Sequence, residues 1–175
     1  SISEPVNPDY VVIGEASGLN IKTGQRGRAE ILLETFGKAA HSANPEKGVN
    51  AVKKMCRLIS ELDKLQPPVH EQLGKGIMEV TDIISSPYPG ASVVAEYCLA
   101  TLDRRLLTGE TKESVLAPVK ELIARLEKED PQFSAKASFS VGKEKCYTDA
   151  EIQGERFFPG WYYDPKEDYI QKILG

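Results

Sequence analysis

The feature that most constrains this chain is a change of hydrophobic period that recurs in a fixed order. From Arg28 to Phe36 apolar and polar residues partly alternate, with Ile31 and Leu33 set against Glu30 and Glu34, as in a half-exposed strand. Val52, Met55, Ile59 and Leu62 then recur at helical spacing, with Asn50 placed to cap the helix and Pro67-Pro68 to stop it. Strand patterns return from Ile77 to about Ile84 and from Ser92 to about Arg104, around a turn containing Pro87, Pro89 and Gly90. Val115, Val119, Leu122 and Leu126 mark a second amphipathic helix, in which Pro118 belongs near the first turn or else kinks it. A last strand alternates through Ala135, Ala137, Phe139 and Val141. The order strand, helix, strand, strand, helix, strand predicts an α+β fold. It is that of a ferredoxin-like βαββαβ sandwich, a four-stranded antiparallel sheet with two helices on one face. The other face and the sheet edges are left to solvent or to a partner. An edge beside Arg28 to Phe36, or the first helix, is the expected place for a second copy to pair.

Composition narrows the class. With 175 residues, 41% of them hydrophobic, the chain supports one sizeable core that removes roughly 70% of its unfolded surface from water. The formal net charge is -4 and no basic run exceeds Lys53-Lys54 or Arg104-Arg105, which argues against nucleic acid as a partner. Cys56, Cys98 and Cys146 are odd in number and form no CxxC pair, a pattern that fits reduced cytosolic thiols. No apolar stretch approaches the roughly 18 residues of a membrane helix, and SISEPVNPDY lacks the regions of a signal peptide. The expectation is a soluble, cytoplasmic protein without a membrane partner. Tyr10 to Ile13, ended by Gly14, has the pattern of a buried strand. The start at Ser and the closing FFPGWYYDPKEDYIQKILG both read as cut from something larger.

Few residues suggest chemistry by themselves. The two histidines, His41 and His70, form no HExxH motif, so a self-contained zinc site is not expected. The cysteines read as small buried hydrophobes, and His70, in the polar loop HEQLGKG, is assigned no role. His41 differs in its surroundings. It follows a strand, sits among the small residues of GKAAHSANPEKGVNAV, and precedes a helix whose start offers free N–H donors. On composition alone it still reads as an ordinary loop histidine.

Three separated motifs resemble one family. Gly37, His41-Ser42-Ala43, Pro45, Gly48 and Asn50-Ala51 are similar to the signature of the dimerisation or lid domain of M20 metallopeptidases and amidohydrolases. That family includes carboxypeptidase G2, succinyl-diaminopimelate desuccinylase and acetylornithine deacetylase. Ile13-Gly14-Glu15-Ala16-Ser17 resembles its GEP[ST] segment, and Leu102-Asp103-Arg104-Arg105 followed by Gly109-Glu110-Thr111 resembles its D-x-R...PGE segment. A fainter resemblance points to the hydrolase branch named for selenium metabolism.

The resemblance implies a division of the chain into 1–22, the tail of a catalytic domain; 23–145, the lid; and 146–175, the return to the catalytic domain. It implies a complete enzyme with two zinc ions, of which this chain supplies one ligand, Glu15. The reaction implied is hydrolysis of an amide in a small peptide or N-acyl amino acid by a metal-activated water, its general base lying outside this chain. His41 matches the lid histidine that reaches the other subunit's active site and helps hold the carbonyl oxygen as it becomes an oxyanion. Arg105 matches the strand-end arginine that receives the substrate carboxylate, its alternative being a salt bridge to Asp103. Arg104, one residue away, should face the other side of the sheet. Ser92 and Ala95 stand where many members have Asn and Pro, which leaves Ser92 as a substrate contact with a shorter reach. Without its catalytic domain the chain is expected to be inactive and to retain self-association as a homodimer. The alternatives are a free-standing ferredoxin-like module that binds a small ligand or regulates a partner, and an RNA-binding sandwich, which the charge balance opposes.

Overall fold

Residues 7–174, except Tyr10, Glu15 and Leu19, are described by a computed structural model. The chain divides into one unit spanning Gly24–Tyr163 and another formed by the stretches up to Thr23 and from Asp164.

In the larger unit, β1 (Gly27–Phe36) buries every second residue, with Ala29, Ile31 and Leu33 fully covered. Helix α1 (Ala51–Leu62) lies over that face and buries Ala51, Met55, Leu58 and Leu62, while Val52 and Ile59 pack at its flank. Asn50 caps it, its Oδ1 accepting from the Lys53 N–H at 3.2 Å. Two strands follow, β2 (Ile77–Ser86) and β3 (Tyr97–Leu106). Helix α2 (Lys112–Glu129) opens on a capping box in which Thr111 and Ser114 each accept from the other's backbone N–H. Pro118 is the seventh residue of α2, past the first turn, so the carbonyl of Ser114 has no helical donor four residues on.

Strand β4 (Ala135–Phe139) completes a sheet ordered β2-β3-β1-β4, with every neighbouring pair antiparallel. Both helices bury residues in one core with the sheet, and ion pairs from Lys54 to Asp130, Arg57 to Glu129 and Arg125 to Glu61 join α1 to α2 and the turn that follows it. The expected α+β architecture holds, with a difference at its edges. Strand β1 is flanked by β3 on one side and β4 on the other, so no free edge lies beside Arg28 to Phe36. The edges of these four strands are β2 and β4; among the described residues β2 pairs only with β3, has a bulge between Val80 and Asp82 and leaves Ile83 and Ile84 half-exposed. Local periodicity locates strands but carries no information on their order, which explains the misplaced edge.

The opposite edge is built in two pieces. After β4, the hairpin of β5 (Val141–Lys145) and β6 (Glu151–Glu155) leaves the sheet, and β7 (Phe157–Phe158) returns to pair with Arg28 and Ala29 of β1. The Glu30 carbonyl accepts from Ser140 N–H at 2.8 Å and the Glu30 N–H donates to Arg156 at 3.0 Å, closing the gap. Phe157 packs on Phe139 at 5.4 Å between centroids, and Trp161–Tyr162 pairs with Gly24–Gln25. Gly27 is required here, because a Cβ would lie 2.2 Å from the Phe158 carbonyl oxygen.

In the other unit, helix α3 (Asp168–Leu174) buries Ile170. The strand expected over Tyr10 to Ile13 is not formed at residues 11–13, whose side chains are 69, 81 and 69% exposed. A strand needs a neighbour to complete its hydrogen bonds, and no described residue pairs with this run.

Candidate functional site

Two loops meet at one end of the sheet. Gly37 turns out of β1 so closely beneath Val49 that a Cβ would lie 2.1 Å from the Val49 carbonyl oxygen. Lys38 and Val49 then exchange hydrogen bonds at 2.8 and 2.9 Å and close the loop that carries His41. The segment before β3 is stitched to this loop, the Val94 N–H donating to Ala40 at 2.8 Å and the Ser42 N–H to Ser92 at 2.9 Å. His41 and Ser92, singled out separately in the sequence, are thus neighbours.

The loop defines the state of His41. Its Nδ1 accepts a hydrogen bond from the Ala43 N–H at 3.1 Å, so that nitrogen is unprotonated and the neutral ring carries its proton on Nε2. The side chain is exposed, and Nε2 has no partner among the described residues. An exposed imidazole with an outward Nε2–H is a hydrogen-bond donor ready for an acceptor oxygen.

Ser92 sits at φ +57°, a left-handed conformation that Asn adopts far more readily than Ser. The turn gives a backbone reason for an asparagine at this position in the resembled motif. It also explains why the apolar run from Ser92 is not yet strand, since β3 begins only at Tyr97.

Arg105 lies elsewhere. It is on the sheet face opposite the helices, eight residues along β3 from Tyr97, or about 26 Å at strand rise. Its Nε lies 3.1 Å from Asp103 Oδ1, the ion pair the alternative reading named, and its two Nη groups have no partner among the described residues. Arg104 points to the helix side, 5% exposed, donating to the Ile77 carbonyl at 2.8 Å and to Glu110 Oε1 at 2.7 Å. Burial pushes the Arg104 pKa down and Glu110 pulls it back up. Glu110 also accepts from the Leu107 N–H at 2.6 Å, so the acidic residue of the GE pair locks the turn after β3. Glu15 lies outside the described residues.

Sequence reasoning missed the residues around Arg105. Arg28 stands directly opposite it on β1, and Asp103 Oδ2 accepts from Arg28 Nε at 2.8 Å. Glu30 in turn pairs with Arg28 at 3.1 Å and Arg156 at 3.2 Å. Only the strand register reveals this row, because Arg28 and Arg105 are far apart in sequence. Among the described residues no three His, Cys, Asp or Glu side chains come together as a metal ion requires. The described part of this chain therefore does not by itself fit the zinc that the resemblance implies.

Residues 23–131 match the family model described as the peptidase dimerisation domain, M20_dimer. The chain belongs to the M20 dimerisation-domain family. It is 34% identical over 172 residues to "Uncharacterized protein YgeY" of Escherichia coli K12, which covers 97% of this chain and 41% of that protein. It is 27% identical over 133 residues to acetylornithine deacetylase of Proteus mirabilis HI4320, covering 66% of this chain and 33% of that enzyme. Its fold matches aminopeptidase PepT from Bacillus cereus with a TM-score of 0.59 at 17% identity, covering 87% of this chain and 37% of that one. It also matches the aminobenzoyl-glutamate utilization protein from Klebsiella pneumoniae with a TM-score of 0.55 at 15% identity, covering 87% and 35%. The chain thus spans well under half the length of these relatives. M20 members are metallohydrolases, and this chain corresponds to their dimerisation part. No helix among the described residues is long and apolar enough to cross a membrane.

Proposed function

We propose that this chain is the lid and dimerisation part of a zinc-dependent M20 peptidase or amide hydrolase, and that it serves two active sites in a homodimer. The observation that carries the reading is the hydrogen bond that the Ala43 N–H donates to Nδ1 of His41. With Nδ1 held by the Ala43 N–H, the ring offers Nε2–H outward from a stitched loop. A donor fixed in advance stabilises a carbonyl oxygen as negative charge develops on it, without reorganising at the moment of reaction. Arg105 receives the substrate carboxylate, its Nη groups left outward by the Asp103 contact at Nε. Ser92 contributes at the His41 end, where its carbonyl holds the loop through Ser42. The separation of His41 from Arg105 within one chain supports their assignment to different active sites, each completed by a second copy.

Of the two edge strands, β2 is the one that leaves Ile83 and Ile84 half-exposed, which supports pairing of two copies along that edge. The substrate class is a small peptide or N-acyl amino acid with a free carboxylate. Metal binding, with Glu15 as one ligand, and the general base belong to the complete cytoplasmic enzyme, and this chain alone is inactive.

The test is His41→Ala in the complete enzyme. It should lower kcat by about 10² to 10³ while bound metal stays at the wild-type level. A kcat within twofold of wild type, or parallel loss of metal, contradicts the role.

A further inference from the structure

The outer sheet face holds a second guanidinium whose position calls for explanation. Arg28 and Arg105 are register partners on β1 and β3, so their Cβ atoms stand about 5 Å apart on one face. Like charges directly opposite across a sheet are unfavourable, and Arg156 adds a third guanidinium to the row through Glu30. Asp103 and Glu30 are the carboxylates that pair with the three arginines, so the guanidiniums outnumber their carboxylate partners by one. Glu79 is the register partner of Asp103 on β2, and it forms no ion pair among the described residues.

The hydrogen bonds show where the surplus points. Asp103 uses one oxygen on Arg28 Nε and the other on Arg105 Nε, so one carboxylate orients both guanidiniums. Among the described residues Arg105 keeps both Nη groups, and Arg28, with Nη2 on Glu30, keeps Nη1. Their side chains are 46 and 41% exposed. A local repulsion that is retained and held in place, with unspent donors facing solvent, is the arrangement expected of a site rather than of a structural ion pair.

The geometry points to Arg28 as a second carboxylate-binding residue, paired with Arg105 and positioned beside it by Asp103, so that a single ligand carboxylate is clasped by both guanidiniums. The inference rests on the reading of Arg105 given above. The ligand class is a carboxylate, whose two oxygens meet the unspent N–H donors of both guanidiniums, such as the terminus of an N-acyl amino acid or peptide.

The test uses the 175-residue chain at low ionic strength, with N-acetylglycine as probe and N-acetylglycinamide as its neutral counterpart, followed through the arginine side-chain N–H signals in NMR. N-acetylglycine should shift the Arg28 and Arg105 signals together and N-acetylglycinamide neither. Arg28→Gln and Arg105→Gln should each weaken the carboxylate by about threefold or more. Arg28→Lys keeps the charge but not the fork and should also weaken it, with the backbone amide spectrum unchanged. If Arg105→Gln weakens binding and neither Arg28 variant does, the clasp is refuted and the reading of Arg105 survives. If the Arg28 variants weaken it and Arg105→Gln does not, the clasp is refuted together with the reading of Arg105. Absence of any shift with the carboxylate, or equal shifts with the amide, overturns both.

Discussion

Arg104 and Arg105 are adjacent in sequence and opposite in environment. Arg104 is covered by the helices and satisfied by Glu110 and the Ile77 carbonyl; Arg105 stands on the open face, where among the described residues it pairs with Asp103 and its two Nη groups have no partner. The same contrast runs through the sheet. Its helix side carries Ile31, Leu33 and Leu102, all essentially inaccessible, whereas its other side carries charged residues linked in a row. One face holds the fold together, and the other face, with the loops at its end, is free to meet substrate or a second chain.

Leu102→Ala tests the load on the helix side. A leucine this buried should cost about 2 to 5 kcal/mol in urea unfolding, while Thr101→Ala on the other face should cost well under 1 kcal/mol. Equal losses at the two positions would erase the contrast. Between the faces lies the β2 edge. Ile83→Lys should raise the dimer dissociation constant about tenfold or more in sedimentation across a concentration series, without lowering monomer stability much. A wild-type chain that stays monomeric at every concentration would remove that edge from the account.

Acid should act on the helical layer in a smaller and more graded way. Hydrogen bonds from Lys64 and Arg125 hold the Glu61 carboxyl down at about 2, and Lys54 lowers that of Asp130. A folded-state pKa below the unfolded value contributes stability that is complete above the ordinary carboxylate range and lost as pH falls through the folded value. For Glu61 that window runs from 4.5 down to about 2. Stability should decline across it, and Glu61→Gln should flatten the slope. Parallel profiles for the two proteins would show that the α1–α2 ion pairs contribute nothing.

Much of this was legible in the sequence, and the remainder failed for identifiable reasons. Strands and helices could be located because Ile31, Leu33, Met55 and Leu122 recur at the period of their element. The cap at Asn50 and the opposite facing of Arg104 and Arg105 follow from local rules and hold. The apolar run before Gly14 has the pattern of a strand, but apolarity supplies no pairing partner, and residues 11–13 form no strand. Val93 and Val94 extended the expected strand too far because the left-handed turn at Ser92 has no mark in hydropathy. His41 could be singled out from its loop, but its tautomer depends on a single N–H two residues on. Arg28 could not be found at all, because its nearness to Arg105 is a matter of register between distant strands.

The direct test of the two-faced sheet is to substitute each neighbouring arginine by alanine and measure both Tm and the affinity for N-acetylglycine. Arg104→Ala should lower Tm by roughly 10 °C, because it leaves Glu110 beneath the helices without its partner, and should leave carboxylate affinity unchanged in the folded fraction. Arg105→Ala should leave Tm within about 2 °C of wild type and weaken the carboxylate severalfold. Two variants with the same loss of Tm and the same loss of affinity would contradict the account.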